Sequence, residues 1–160
     1  MNKYTESIGV DKLMDTYNMI VGGVVAVLTM ILGKYWFLFA FFLLLNIVDF
    51  ISGTMKARYL GTESSKMGSK GISKKVWYWV IILISFITSY CFISLGKDFL
   101  GVDLSMVQLL GWYTLASYTV NELRSIIENL VEMDINVPEV FTKGLAVIQL
   151  ILKKKEEEIK

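Results

Sequence analysis

The chain has 160 residues, 54% of them hydrophobic and 19% charged, with a formal net charge of +1. A soluble domain of this length carries about 45–50% apolar and about 25% charged residues. The apolar excess comes in blocks and gives a mean hydropathy of +0.54, which is a membrane signature. The near-zero charge supplies no overall field for nucleic acid. The lack of His removes imidazole bases, switches and metal ligands, and the single Cys, Cys91, excludes an intrachain disulfide or a Cys-based metal cluster. No enzymatic activity, metal or cofactor is expected.

In chain order, residues 1–17 are polar with apolar points at Ile8, Leu13, Met14 and Tyr17, an interfacial helix or a frayed tail. Lys3, Glu6, Asp11, Lys12 and Asp15 precede the first apolar run, and no small-residue pattern ends it, so no cleavable signal peptide is expected. Residues 18–33 form the first span, about 24 Å as a helix and slightly short for a core of about 30 Å. Tyr17 and Tyr35-Trp36 flank it as interface aromatics, and Gly22 with Ala26 permits close helix packing. After the Gly33-Lys34 break, residues 35–52 form the second span, with helix continuing to about Leu60. The link 53–75 carries Lys56, Arg58, Lys66, Lys70, Lys74 and Lys75 against one acid, Glu63, and its Gly/Ser-rich part, 61–73, reads as a flexible loop.

The third span is 76–95, opening with Trp77 and Trp79. A loop over 96–104 leads to a helix from Ser105 to Met133, whose residues 105–127 form the fourth span. Pro138 separates the last segment, 139–160, where Phe141, Leu145, Ile148 and Leu152 recur at helical spacing before Lys153-Lys154-Lys155-Glu156-Glu157-Glu158. That segment is expected to be an amphipathic helix lying on the bilayer or packing on a copy of itself. The expected fold is therefore all-α: a single integral membrane domain of about four transmembrane helices plus the C-terminal amphipathic helix. Lys and Arg concentrate in the 53–75 link and in the tail, including Lys143 and Lys160, which puts both termini and the basic link in the cytoplasm. If the first run lies in the interface instead, the spans number three and the N-terminus changes sides.

Two faces carry polar groups. Asn46, Asp49, Gly53 and Lys56 are spaced by three, four and three and share one face of the second span. A carboxylate facing lipid at mid-depth costs roughly 2–3 kcal/mol. Asp49 is thus read as the wall of a water path, as an ion-pair partner of Lys56, Lys74 or Lys75, or as a group already solvated at the interface. In the fourth helix, Gly111, Thr114, Tyr118, Asn121, Glu122, Ser125, Glu128 and Asn129 form one stripe opposite Trp112, Ala116, Val120, Leu123, Ile127 and Leu130. This is an interhelical hydrogen-bond seam, a water-facing wall, or a helix leaving the membrane near Thr119. Gly68 and Gly71 let the link fold tightly; without Walker spacing they are not a phosphate loop.

Asp49-Phe50-Ile51-Ser52-Gly53 with Lys56-Ala57, then Ser65-Lys66-x-Gly68-x-x-Gly71-x-x-Lys74-Lys75, resembles the toxin-secretion/phage-lysis holin family, also called phage holin family 4. Asn121-Glu122-x-x-Ser125-Ile126-x-Glu128-Asn129 followed by Val137-Pro138 is similar to its second patterned stretch. The resemblance covers roughly residues 35–151 and departs at the acid-rich C-terminal end, where a basic tail is more usual. It implies a homo-oligomer in the bacterial cytoplasmic membrane that forms lesions for an endolysin, or for a toxin in the exporter variant, without stable binding of that cargo. The matching residues are expected in structural or pore roles. A small ion channel or transporter using Asp49 and Glu122, and a non-conducting membrane scaffold, are the rival readings.

Overall fold

The computed structural model describes residues 3–158, with side chains from Val10 onward except that of Glu156. The first two and last two residues of the terminal segments, Lys160 among them, and the side chain of Ile8 lie outside the described residues. Every element is helical: α1 (Lys3–Leu32), a 3-10 turn (Gly33–Tyr35), α2 (Trp36–Tyr59), α3 (Ser65–Leu95), a π-helical turn (Gly96–Leu100), a 3-10 turn (Ser105–Gln108), α4 (Leu109–Val131) and α5 (Glu139–Glu158). Two stretches are long and apolar enough to cross a membrane, Val10–Tyr59 and Ser65–Leu100. The chain divides into two compact units, one ending at Phe37 and the other beginning at Leu38.

In the first unit the expected interfacial segment and first span form one continuous helix, α1. It ends where Gly33 adopts a left-handed φ of +63°, a conformation that glycine reaches without steric cost. Apart from the chain neighbours and the backbone of α1 itself, nothing lies within 4 Å of where a Cβ on Gly22 or Gly23 would stand.

In the second unit the sequence distances between touching residues fix the topology. Asp49 and Asn129, Lys56 and Glu132, and Tyr59 and Asp134 meet, so α2 and α4 run parallel. Lys75 meets Glu122, Tyr78 stacks on Tyr118, and Phe86 packs edge-on to Trp112, so α3 runs antiparallel to α4. Phe39, Phe42 and Leu45 of α2, Ile82 and Phe86 of α3, and Leu115, Val120 and Ile127 of α4 are buried. The tightest approach is at Gly111, where a Cβ would stand 2.6 Å from Phe86 Cδ1. Ser89 donates to the Val107 carbonyl at 2.9 Å, tying the far end of α3 to the start of α4. Between them, the Ser105 amide donates to Asp103 Oδ1 at 2.9 Å, which holds that carboxyl below the usual carboxylate range.

The expected flexible loop over 61–73 is shorter than read. Only residues 60–64 leave the helical path, and α3 starts at Ser65. Gly68 and Gly71 each cost a helix about 1 kcal/mol relative to Ala, but they lie in the first turns of a 31-residue helix whose packed remainder propagates back through them. The 96–104 loop likewise begins as a π-helical turn, closed by Gly101 at φ +64°.

Substitutions at these glycines separate packing from propensity. Gly111→Leu drives a side chain into the Phe86 ring and is expected to destabilise the unit by about 3 kcal/mol. Gly68→Ala and Gly71→Ala, with nothing within 4 Å of the new Cβ, are expected to stabilise by up to about 1 kcal/mol each. Thermal unfolding in detergent, followed by circular dichroism, reads both; indifference to all three changes would contradict the helical path.

Candidate functional site

The residues singled out on α2, α3 and α4 converge on one lysine. Lys75 Nζ lies 2.8 Å from Asp49 Oδ2 and also contacts Glu122 Oε2. The Glu122 side chain is 4% exposed and those of Lys75 and Asp49 are 13% and 14% exposed, so one cation serves two largely buried carboxylates from two other helices. Asn129 Nδ2 donates to Asp49 Oδ1 and to Ser52 Oγ, both at 3.1 Å, completing the coordination of Asp49 from α4. One turn before Asp49 on α2, Trp79 Nε1 donates to Asn46 Oδ1 at 3.2 Å while the Asn46 amide donates to the Phe42 carbonyl. Every buried side-chain polar atom among the described residues has a partner, as a low-dielectric interior requires.

The reason these residues meet is the 3.6-residue period. Asn46, Asp49 and Gly53 share a face of α2 and turn it inward: Asn46 is buried, Asp49 and Gly53 are half-buried. A Cβ on Gly53 would stand 3.5 Å from Asn129 Nδ2, an ordinary contact, so glycine gives the amide room without being sterically obligatory. Lys56 departs from the Asp49 cluster and pairs with Glu132 at 3.4 Å. Of the three lysines considered for Asp49, Lys75 is the one that reaches it; Lys74, the next residue, is on the outer side with its ammonium 5.6 Å from the Tyr78 ring centroid.

Two openings flank the cluster. A cavity of about 280 Å³ is lined by Asp49, Gly71, Lys74, Lys75, Tyr78, Asn121, Glu122, Arg124, Ser125 and Glu128. A larger groove of about 940 Å³ includes Asp49, Gly53, Lys56, Gly68, Gly71, Lys75, Ser125 and Asn129 in its walls. The α4 stripe divides between them: Glu122 and Asn129 are buried, Ser125 borders both openings, and Asn121 and Glu128 are exposed. Glu128 is held by Arg124 Nε at 2.7 Å. The face opposite the stripe is partly covered as well, because Val120 and Ile127 are buried and α5 packs along α4, bringing Lys155 within electrostatic range of Tyr113. Pro138 lies outside the cluster, immediately before α5; the chain reaches it through Asp134, whose left-handed φ of 60° is stabilised by the Tyr59 hydroxyl donating to Asp134 Oδ2 at 2.8 Å.

Sequence reasoning missed Ser52, Trp79, Glu132 and the Tyr78–Tyr118 stack. Ser52 was findable, being three residues from Asp49 on the same face, and so was Trp79, four residues after Lys75. Glu132 and Tyr118 as partners depend on how the helices cross.

The cluster makes an ordered prediction. Lys75→Met leaves two carboxylates facing each other without their cation and is expected to destabilise the unit by about 3–5 kcal/mol. Asp49→Asn preserves the Lys75–Glu122 pair and is expected to cost about 1 kcal/mol. Denaturant titration in micelles should reproduce this order, and equal losses for the two variants would remove Lys75 from its central place.

The description "Bacteriophage holin family" belongs to the family model that matches residues 26–149. An uncharacterised protein of Listeria innocua is 38% identical over 112 residues, covering 70% of this chain and 71% of its own length. One of Listeria monocytogenes is 38% identical over 102 residues, 64% of each chain. One of Halalkalibacterium halodurans is 25% identical over 124 residues, 78% of this chain and 87% of its own. No solved structure matches the chain.

Proposed function

The chain belongs to the bacteriophage holin family, and from that premise we propose that it is a non-enzymatic, multi-pass protein of the bacterial cytoplasmic membrane that self-associates into lesions releasing an endolysin. The observation that carries this reading is the family match over residues 26–149 on a chain with two stretches apolar and long enough for a bilayer. Val10–Tyr59 has 50 residues, about 75 Å as helix, more than two crossings of a core of about 30 Å. That length accommodates two passes, so α1 and α2 are assigned one pass each and α3 the third.

Helix α4 is assigned the fourth pass. Alone it is too polar for lipid, but Glu122 and Asn129 are already satisfied by α2 and α3, which lowers the cost of placing them in the membrane. The Lys and Arg excess of residues 56–75 supports a cytoplasmic position for that end and, with four passes, for both termini. A single copy has its centre filled by Phe42, Ile82 and Phe86, so passage of a folded enzyme requires several copies.

Induction in bacteria is expected to stop growth and collapse the membrane potential, and co-expression of an endolysin lacking a signal peptide to clear the culture. Turbidity and a potential-sensitive dye measure these; an unchanged potential at confirmed membrane expression rules out lesion formation. For orientation, Ser64→Cys or Ser73→Cys in a Cys91→Ser background is expected to resist an impermeant thiol reagent in intact protoplasts before lesions open. Ready labelling from outside would invert the assignment.

A further inference from the structure

We propose that the first turns of α3 carry a binding stripe for anionic phospholipid headgroups, formed by Lys66, Lys70, Lys74 and Trp77. The inference rests on the membrane assignment above and adds to it a lipid preference and the surface responsible.

Helicity of residues 65–75 creates the stripe. Lys66, Lys70, Lys74 and Trp77 follow one another by four, four and three residues, so they stack along one side of α3, and all four are exposed. Ser69 and Ser73 lie between them on the same side and leave the long side chains room. Lys75 points the other way, into its two carboxylates. The adjacent lysines 74 and 75 therefore have opposite assignments, one outward and one inward.

Lys66 and Lys70 are the unpaired cations of this end of the bundle, and Lys74, though within electrostatic range of Glu122 and Asp49, is bonded to neither. Lys56 pairs with Glu132, Arg58 with Glu63, Lys75 with Asp49 and Glu122, and Arg124 with Glu128. Lys66, Lys70 and Lys74 make no ion pair among the described residues, and the sequence holds no Asp or Glu between Glu63 and Asp98. Their position fits a headgroup layer. The uncharged run from Val76 to Leu95 is about 30 Å long, the thickness of a hydrocarbon core. Beyond Val76, Lys74 lies about 3 Å, Lys70 about 9 Å and Lys66 about 15 Å out along the helix. The first falls within a headgroup layer of roughly 5–8 Å, and the other two lie within about a Debye length of it. Trp77 sits at the boundary, where an apolar ring with a polar N–H is favoured. Continuity with the apolar run, together with the unopposed positive charge, selects an anionic lipid surface as the occupant.

The test uses the full chain in vesicles of phosphatidylcholine mixed with phosphatidylglycerol, brominated in one lipid or the other, with tryptophan quenching reporting which lipid contacts the protein. The parent is expected to favour phosphatidylglycerol at least fivefold at low salt, about the effect of one lysine near an anionic surface, and to lose the preference at 1 M salt, where the Debye length is about 3 Å. K66Q/K70Q/K74Q is expected to quench equally with both lipids, whereas K66R/K70R/K74R retains the preference; circular dichroism checks that both variants stay helical. Equal quenching in the parent, or a preference that survives in the glutamine variant and so resides elsewhere, such as in Lys153–Lys155, overturns the stripe. Alkaline carbonate extraction distinguishes the two levels: a chain washed out of vesicles removes the membrane assignment and the stripe together, whereas a chain that stays without lipid preference removes the stripe alone.

Discussion

One buried lysine holds three helices in register. Lys75 takes a carboxylate from α2 and another from α4, and the α4 amide of Asn129 reaches back to the α2 carboxylate. Two like charges sharing a site repel, and in a low-dielectric interior that repulsion is only tolerable with a cation between them. The arrangement fixes rotation as well as distance: turning α2 by one residue, about 100°, would take Asp49 away from Lys75 and present an apolar neighbour such as Val48 or Phe50. A purely apolar seam of Phe, Ile and Leu would permit several such registers, so the ionic cluster acts here as the specifying element, the role for which buried polar groups are best attested.

The apolar residues are not confined to the core as in a water-soluble bundle. Phe41, Leu44, Ile47 and Ile51 on α2, and Ile81, Ile84 and Ile87 on α3, are exposed, while Asn46, Ser52, Ser89, Glu122 and Asn129 are buried. In water this would be unstable, since polar groups inside give little net energy and apolar groups outside cost about 25 cal/mol per Å². In hydrocarbon both terms change sign of preference: the outer surface needs no covering, and a polar group is better paired within the protein than exposed to lipid. Small residues at the close approaches, Gly111 beneath Phe86 above all, fit the same environment, where helices associate through packing rather than through expulsion of water.

The helical class and the Asn46–Asp49–Gly53 face were legible because both rest on a local period that the sequence displays directly. The 65–73 segment was misread because its Gly and Ser residues signal a loop locally, whereas its helicity comes from the long packed helix to which it is joined. Which lysine answers Asp49 was not legible: Lys56 is nearer in sequence, but helix crossing carries it to Glu132, and crossing is a tertiary quantity. The α4 stripe was correctly seen as polar yet not as divided, since whether Asn121 or Glu122 turns inward depends on about 100° of rotation that only the neighbours α2 and α3 decide. The packing of α5 along α4 had no sequence signal beyond amphipathicity, which fits a bilayer surface, a second copy or α4 equally well.

The same cluster is also where the packed helices are least closed. Its two flanking openings, about 280 and 940 Å³, both border Asp49 and Lys75, so water has access to the ionic core from both sides without the helices separating. Hydration of that kind weakens the attraction that holds the three helices, because the interaction scales inversely with the local dielectric. The apolar contacts of Phe86 with Trp112 and Gly111, nearer the other end of the bundle, line neither opening.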